Sequence, residues 1–235
     1  MKADLGEGHV GSFAGRAIRD GQRFAWRSEE SYRLLSARPC QIGLDRHKLA
    51  GVALDVWREE YRQLIPALTV GQLSKAEAFA RIMLANGVEP RPDLLRELSD
   101  KDRELLVACS RLYDDAVPFL QALRSRGIKI AIVSNCSEHT RDMLDELGVT
   151  ALSDVLVLSC EVGAAKPAAE IFRYALDTLG VSAGAAAFVD DQASYCAGAA
   201  NLGLTVLQLV RGELDGPTAP WVVRSLAEAG AVLFE

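Results

Sequence analysis

IKIAIVSNCSEHTRDMLDELGVTALSDVLVLSC (residues 128–160) decides the architecture. A short apolar strand, IKIAIVSN, leads into a helix, EHTRDMLDELG, and a second apolar strand, DVLVLSC. The same alternation continues outward. Upstream lies a helix, VPFLQALRSRG; downstream come the helix AAEIFRYALDTLG, the strand AAFVDD, the helix CAGAANLG and the strand LTVLQLV. Short apolar strands alternating with amphipathic helices make βα units, hence a parallel sheet with helices on both faces. The expected fold class is therefore α/β, a three-layer core over residues 113–235.

Residues 28–112 follow a different pattern. Ser28 caps a stretch in which Leu49, Ala53, Trp57, Tyr61 and Leu64 recur at three- and four-residue spacings, one helical face read as core packing. SKAEAFARIMLANG starts on a serine and ends at Gly87, and PDLLRELSDKDRELLVACSRLY carries Pro92 in a first-turn position. This segment is predicted to be a separate helical domain, and residues 1–27 an N-terminal segment forming either a first core strand or a hairpin.

Of the 235 residues 49% are hydrophobic and 25% charged, the composition of a globular protein with room for one large or two small domains. The net charge of −6 supplies no basic footprint for nucleic acid or for an anionic membrane. Neither is an expected partner. The five cysteines are scattered without a CxxC pair, which suggests reduced thiols rather than a zinc site or disulfide framework. MKADLGEGHVGSFAG has no signal-peptide stretch, and no run reaches the roughly 18 apolar residues of a membrane helix, so a cytoplasmic location is expected. The amphipathic helices serve an intramolecular partner or a homodimer equally well.

In a parallel sheet the ligand site lies at the carboxyl ends of the strands. There the sequence places Ser134-Asn135, Lys166-Pro167 and Asp190-Asp191, after three consecutive strands. Each has a plain alternative: Ser134 a turn or helix cap, Lys166 a solvated loop lysine, Asp190-Asp191 a cap on the following helix. Their arrival in order on one sheet edge favours joint use. Two adjacent carboxylates resist ionising together unless a cation is near, and oxygen donors suit Mg²⁺. A serine hydroxyl can donate to a phosphate oxygen, and a lysine can neutralise charge on a transferring group. Phosphoryl chemistry fits all three.

AIVSNCSEHTRDMLDELG, LSCEVGAAKPAAEIFRYAL and AAFVDDQASYCAGAANLGL resemble the second, third and fourth motifs of the haloacid dehalogenase (HAD) superfamily, in that order. The resemblance runs from about Leu112 to Leu209, and the helical segment before it is similar to the cap that many members carry. It implies a Rossmann-like core, an aspartate nucleophile on the first strand and a Mg²⁺ cofactor. Ser134 then matches the phosphate-binding hydroxyl, with Asn135 beside it, and Lys166 the third-motif lysine. Asp190 matches the metal-binding acid, with Asp191 a second ligand or an anchor for Lys166. The double aspartate of FVDD is similar to the branch holding the phosphatase-like domains of epoxide hydrolases.

The first motif departs from the family's DxDxT or DxGG pattern. RAIRDGQRFAWRS (residues 16–28) can be laid over it with Asp20 as nucleophile and metal ligand, but the acid/base position is then Gln22, and Arg16 and Arg19 interrupt the strand. Asp4-Leu5-Gly6 has too few residues before it. Asp20-Gly21 also suits the turn of a hairpin in which Ile18 and Arg19 face Gln22 to Phe24. Two functions stay open. One is a Mg²⁺-dependent phosphatase of a small phosphorylated metabolite, with haloacid dehalogenation as a sub-case disfavoured by FVDD. The other is a catalytically impaired relative that binds a phosphorylated ligand or a protein partner.

Overall fold

The computed structural model describes residues 23–27, 47–212 and 221–234. Its frame is a six-stranded sheet: β1 (Arg23–Arg27), β2 (Ile130–Ser134), β3 (Val155–Leu158), β4 (Ala186–Asp190), β5 (Thr205–Leu209) and β6 (Val222–Val223), in the order β3-β2-β1-β4-β5-β6. Every neighbouring pair is parallel.

Burial on both faces explains the almost uninterrupted apolar strands. Side chains alternate along each strand, so Ile130 and Ile132 of β2 and Ala187 and Val189 of β4 join one core, with α4 (Ala116–Ser125) and α9 (Leu226–Phe234) against them. Ala131, Val133, Ala186 and Phe188 join the other, under α7 (Ala169–Leu179) and α8 (Ala193–Ala200). Phe172 of α7 meets Phe188 edge-on, with ring centroids 5.2 Å apart. Two helical layers around a parallel sheet give the expected three-layer, Rossmann-like α/β fold.

The helical segment contributes α1 (Leu54–Thr69), α2 (Lys75–Ala85) and α3 (Pro92–Cys109), packed around Trp57, Phe79, Ile82, Met83 and Leu98. Ser74 and Glu77 form a full capping box on α2, each side chain bonding the other residue's N–H. The predicted stripe is corrected at its upstream end. Gly51, at φ +68°, interrupts the helix, α1 starts at Leu54, and Ala53 is an exposed N-cap while Val52 is buried in its place.

Cys109, at the end of α3, is disulfide-bonded, against the expectation of five reduced thiols. The closing β6 and α9 lay outside the sequence reading; a two-residue strand is too short for periodicity to register.

Candidate active site

β2, β3 and β4 end on the same edge of the sheet because they are parallel and in register, Ser134 level with Leu158 and Asp190 level with Gln208. Ser134, the last residue of β2, is buried, its hydroxyl 3.4 Å from the Asn135 carbonyl. Asn135 ties this edge to the loop that ends at Lys166. Its Oδ1 accepts the Lys166 N–H at 2.7 Å and its Nδ2 donates to the Lys166 carbonyl at 2.8 Å. An amide used on both sides in this way stands in for a strand partner, and it fixes the backbone from which the lysine extends.

Between β3 and α7 the chain passes through the short helix α6 (Ser159–Val162), then Lys166 and a cis Lys166–Pro167 bond. The Lys166 side chain is wholly buried, which removes the solvated-loop alternative. Its Nζ donates to the Val133 carbonyl at 2.9 Å and to Asp190 Oδ2 at 3.2 Å. It also lies 5.1 Å from the ring centre of Tyr195 and 5.7 Å from that of Phe188. Carboxylate, carbonyl and aromatic faces together compensate a cation that would otherwise be too costly to bury.

Asp190 ends β4 with its side chain equally buried. Its second oxygen, Oδ1, accepts the Gln192 N–H at 2.8 Å at the start of α8. It thus tethers the helix start, as the cap reading had it, and pairs with the lysine, a contact the resemblance had offered to Asp191 instead. Asp191 follows, half-buried, its carbonyl accepting from Gln208 Nε2 at 3.1 Å. α8 sits close against this loop, since a Cβ at Gly198 would fall 2.6 Å from the Pro167 carbonyl oxygen.

The donor set suits a hard cation only in part. Both Asp190 oxygens accept hydrogen bonds, from Lys166 and from the Gln192 N–H, and Asp191 follows it in the same loop, so the oxygen donors at this edge are two adjacent carboxylates. Among the described residues no group of three or more His, Cys, Asp or Glu gathers as a metal site.

Asp20 and the proposed Asp20-Gly21 turn lie outside the described residues. The described first strand is Arg23–Arg27, which follows Asp20 instead of preceding it. It fills the sheet centre, with Arg27 level with Val133 and Trp26 level with Val189, and its partners β2 and β4 are both parallel to it. No carboxylate occurs within β1.

On the neighbouring rim, His139 takes a left-handed backbone, φ 72°, as N-cap of α5 (Thr140–Glu146), and its Nε2 lies 3.1 Å from Ser99 Oγ of α3. Burial, and then the nearby Lys75 charge, holds its pKa below the ordinary value. Lys75 is itself buried and paired with Asp102. Its N–H donates to Glu138 at 2.7 Å. A cleft of about 600 Å³ separates the helical unit, at Leu68, Leu73 and Glu77, from His139, Arg141 and Leu158 of the core. The Lys75–Asp102 pair escaped sequence reading because nothing in the local pattern marks a helix-start lysine as buried.

The haloacid dehalogenase-like hydrolase profile matches residues 11–203. A phosphatase of Mycobacterium tuberculosis is 35% identical over 144 residues, 58% of this chain and 65% of its own length. A glyceraldehyde 3-phosphate phosphatase of Methanopyrus kandleri is 28% identical over 167 residues, 70% of this chain and 72% of its own. The chain therefore spans just under two thirds of the first relative's length and rather more of the second's. The crystal structure of a HAD phosphatase from Thermococcus onnurineus superposes with a TM-score of 0.64 at 24% identity, over 90% of this chain and 97% of that one, a likeness of fold. With the profile covering most of its length and the three motifs meeting at one sheet edge, the chain belongs to the haloacid dehalogenase-like hydrolases.

Proposed function

We propose that the protein is a Mg²⁺-dependent phosphatase of a small phosphorylated metabolite, acting in the cytoplasm, with the helical unit serving as a cap over the site. The observation that carries this reading is the convergence of Ser134, Lys166 and Asp190, with a fully buried lysine ammonium at the strand edge. The phosphatase names of the sequence relatives point the same way. Among the described residues no helix is long and apolar enough to cross a membrane.

In this reading a carboxylate attacks phosphorus to form an acyl-phosphate, the alcohol leaves, and water then hydrolyses it; Asp20 is the candidate under test, although it precedes β1, whose carboxyl end is the one beside Ser134. The Ser134 hydroxyl and the backbone N–H groups of the Asn135 loop bind the phosphoryl oxygens. Lys166, held by Val133 and Asp190, neutralises charge that grows on them in the transition state. Asp190 and Asp191 would hold Mg²⁺, which would supply Lewis-acid charge stabilisation when bound. With Gln22 at the position of the second aspartate, the loss of general acid/base help costs about 10²- to 10⁴-fold.

The second reading, a catalytically impaired member that binds a phosphorylated ligand, is favoured by the absence of a carboxylate from β1. Hydrolysis of p-nitrophenyl phosphate with and without Mg²⁺ separates the two. The phosphatase reading predicts metal-dependent turnover that Lys166→Met and Asp20→Asn each abolish. Turnover that survives Asp20→Asn would place the nucleophile elsewhere. Absence of turnover, combined with a rise in Tm when Mg²⁺ and phosphate are added, would favour the binding protein.

A further inference from the structure

Parallel pairing carries one more pair of residues together. Ser134 is level with Leu158, and two residues further along each chain stand Cys136 and Cys160, whose Sγ atoms are 3.8 Å apart. Ser159 fastens the two segments at this point. Its Oγ accepts the Cys136 N–H at 2.8 Å and lies 3.3 Å from the Cys136 carbonyl, toward which it donates. Both thiols are free and only partly buried, and Cys160 lines the cleft between the helical unit and the core. The Cys160 carbonyl also meets the helical unit. A Cβ at Gly71 would lie 2.1 Å from that oxygen, so the backbones approach as closely as glycine permits.

We propose that Cys136 and Cys160 are an oxidation site, a dithiol that a peroxide converts to a disulfide across the β2 and β3 loops. The hydrogen bond from Cys160, reinforced by the hydroxyls of Thr140 and Ser159, holds the Cys136 thiol below the ordinary thiol range, whereas Cys160 is held above it. Cys136 is accordingly the attacking sulfur. Its thiolate displaces hydroxide from the peroxide O–O bond, giving a sulfenic acid, and the hydroxide takes up a proton to become water. The Cys160 sulfur then attacks the Cys136 sulfur, the S–O bond breaks, and the Cys160 proton leaves with the hydroxyl as a second water. The sulfurs need close only to the roughly 2.05 Å of a disulfide from their present contact. Because Cys136 follows Ser134 and Asn135 directly, and Cys160 carries the Gly71 contact, the bond would join the phosphate-binding loop to the seat of the helical unit.

The test treats the reduced full-length protein with hydrogen peroxide, alkylates the remaining thiols under denaturing conditions and maps the peptides by mass spectrometry. The expected major product is a Cys136–Cys160 linked peptide, lighter by two hydrogens, which dithiothreitol removes. Cys160→Ser should lose that species and carry the sulfenic or sulfinic form of Cys136 instead. Recovery of both cysteines in the parent as alkylated thiols, or separately over-oxidised without a link, would overturn the proposal. The parent protein alone decides the matter, whatever the variant's stability, and the readout needs no catalytic activity.

Discussion

Lys166 and Asp190 are the residues on which site and stability depend together. Each side chain is wholly buried, and the lysine finds its compensation in one carboxylate and one carbonyl. Removing the lysine leaves a buried carboxylate that has lost its counter-charge. Lys166→Met should therefore destabilise the fold by about 3 kcal/mol or more, as breaking a buried ion pair does, in addition to eliminating turnover. Urea unfolding followed by circular dichroism would measure it. A change under about 1 kcal/mol would mean that the pair is far better solvated than its burial indicates. The sequence marked Lys166 for its place after a strand, yet its spelling was equally that of a surface loop lysine. Burial, set by Phe188, Tyr195 and the Asn135 clamp, separated the readings.

At the scale of elements, the decisive contact is that of α8 with the Lys166–Pro167 loop. Replacing a helical glycine by alanine ordinarily gains up to about 1 kcal/mol in helix propensity. At Gly198 the new methyl would meet the Pro167 carbonyl oxygen at 2.6 Å and its Cβ at 2.9 Å, groups held by backbone that cannot swing aside. Overpacking of this kind costs about 1–3 kcal/mol, so Gly198→Ala should be net destabilising and should also weaken catalysis by displacing the lysine loop. Thermal melts beside kcat/KM would show both effects; a stabilised, fully active variant would refute the packing argument. Element types from Ala116 to Leu209 were legible in the sequence, because strands buried on both faces and amphipathic helices write distinct periods; the exception is the one-turn α6 at Ser159–Val162, whose first residues read as the end of the strand DVLVLSC. The central strand was not. RFAWR carries two arginines in five residues, and its place between β2 and β4 comes from the backbone groups those strands present to it.

Across the whole molecule, Asp115 links segments distant in the chain. At the N-cap of α4 it accepts a two-pronged bond from Arg211 beyond β5, at 2.7 and 3.0 Å, and the Leu226 N–H of α9 at 2.9 Å, while the guanidinium stacks 4.0 Å from the Tyr113 ring centre. Burial alone would raise the Asp115 pKa, but Arg211 and the Leu226 N–H outweigh it and hold the carboxyl below its ordinary value. A carboxylate with a depressed folded pKa contributes stability that is complete above the unfolded value, about 3.9, and is lost as the pH falls through the folded value. Arg211→Ala should cost about 1–3 kcal/mol at neutral pH, the scale of charge-assisted hydrogen bonds in a partly exposed place, and should flatten the loss of stability below about pH 4. Denaturant melts across that range would test it. An unchanged acid slope would assign the acid sensitivity to other carboxylates.

The amino-acid order by itself determined the parallel α/β core, the helical segment before it and the strand-end positions of Ser134, Lys166 and Asp190. These are consequences of local periodicity and of the rule that a parallel sheet gathers its strand ends on one edge. Only the tertiary structure decided that Lys166 is buried on Asp190, that Asn135 clamps the lysine loop and that β1 is Arg23–Arg27 in the sheet centre. It alone set Cys136 against Cys160 and Lys75 on Asp102. Those facts depend on which groups meet across long chain separations and lose their water there, and nearest-neighbour sequence does not encode solvent exclusion.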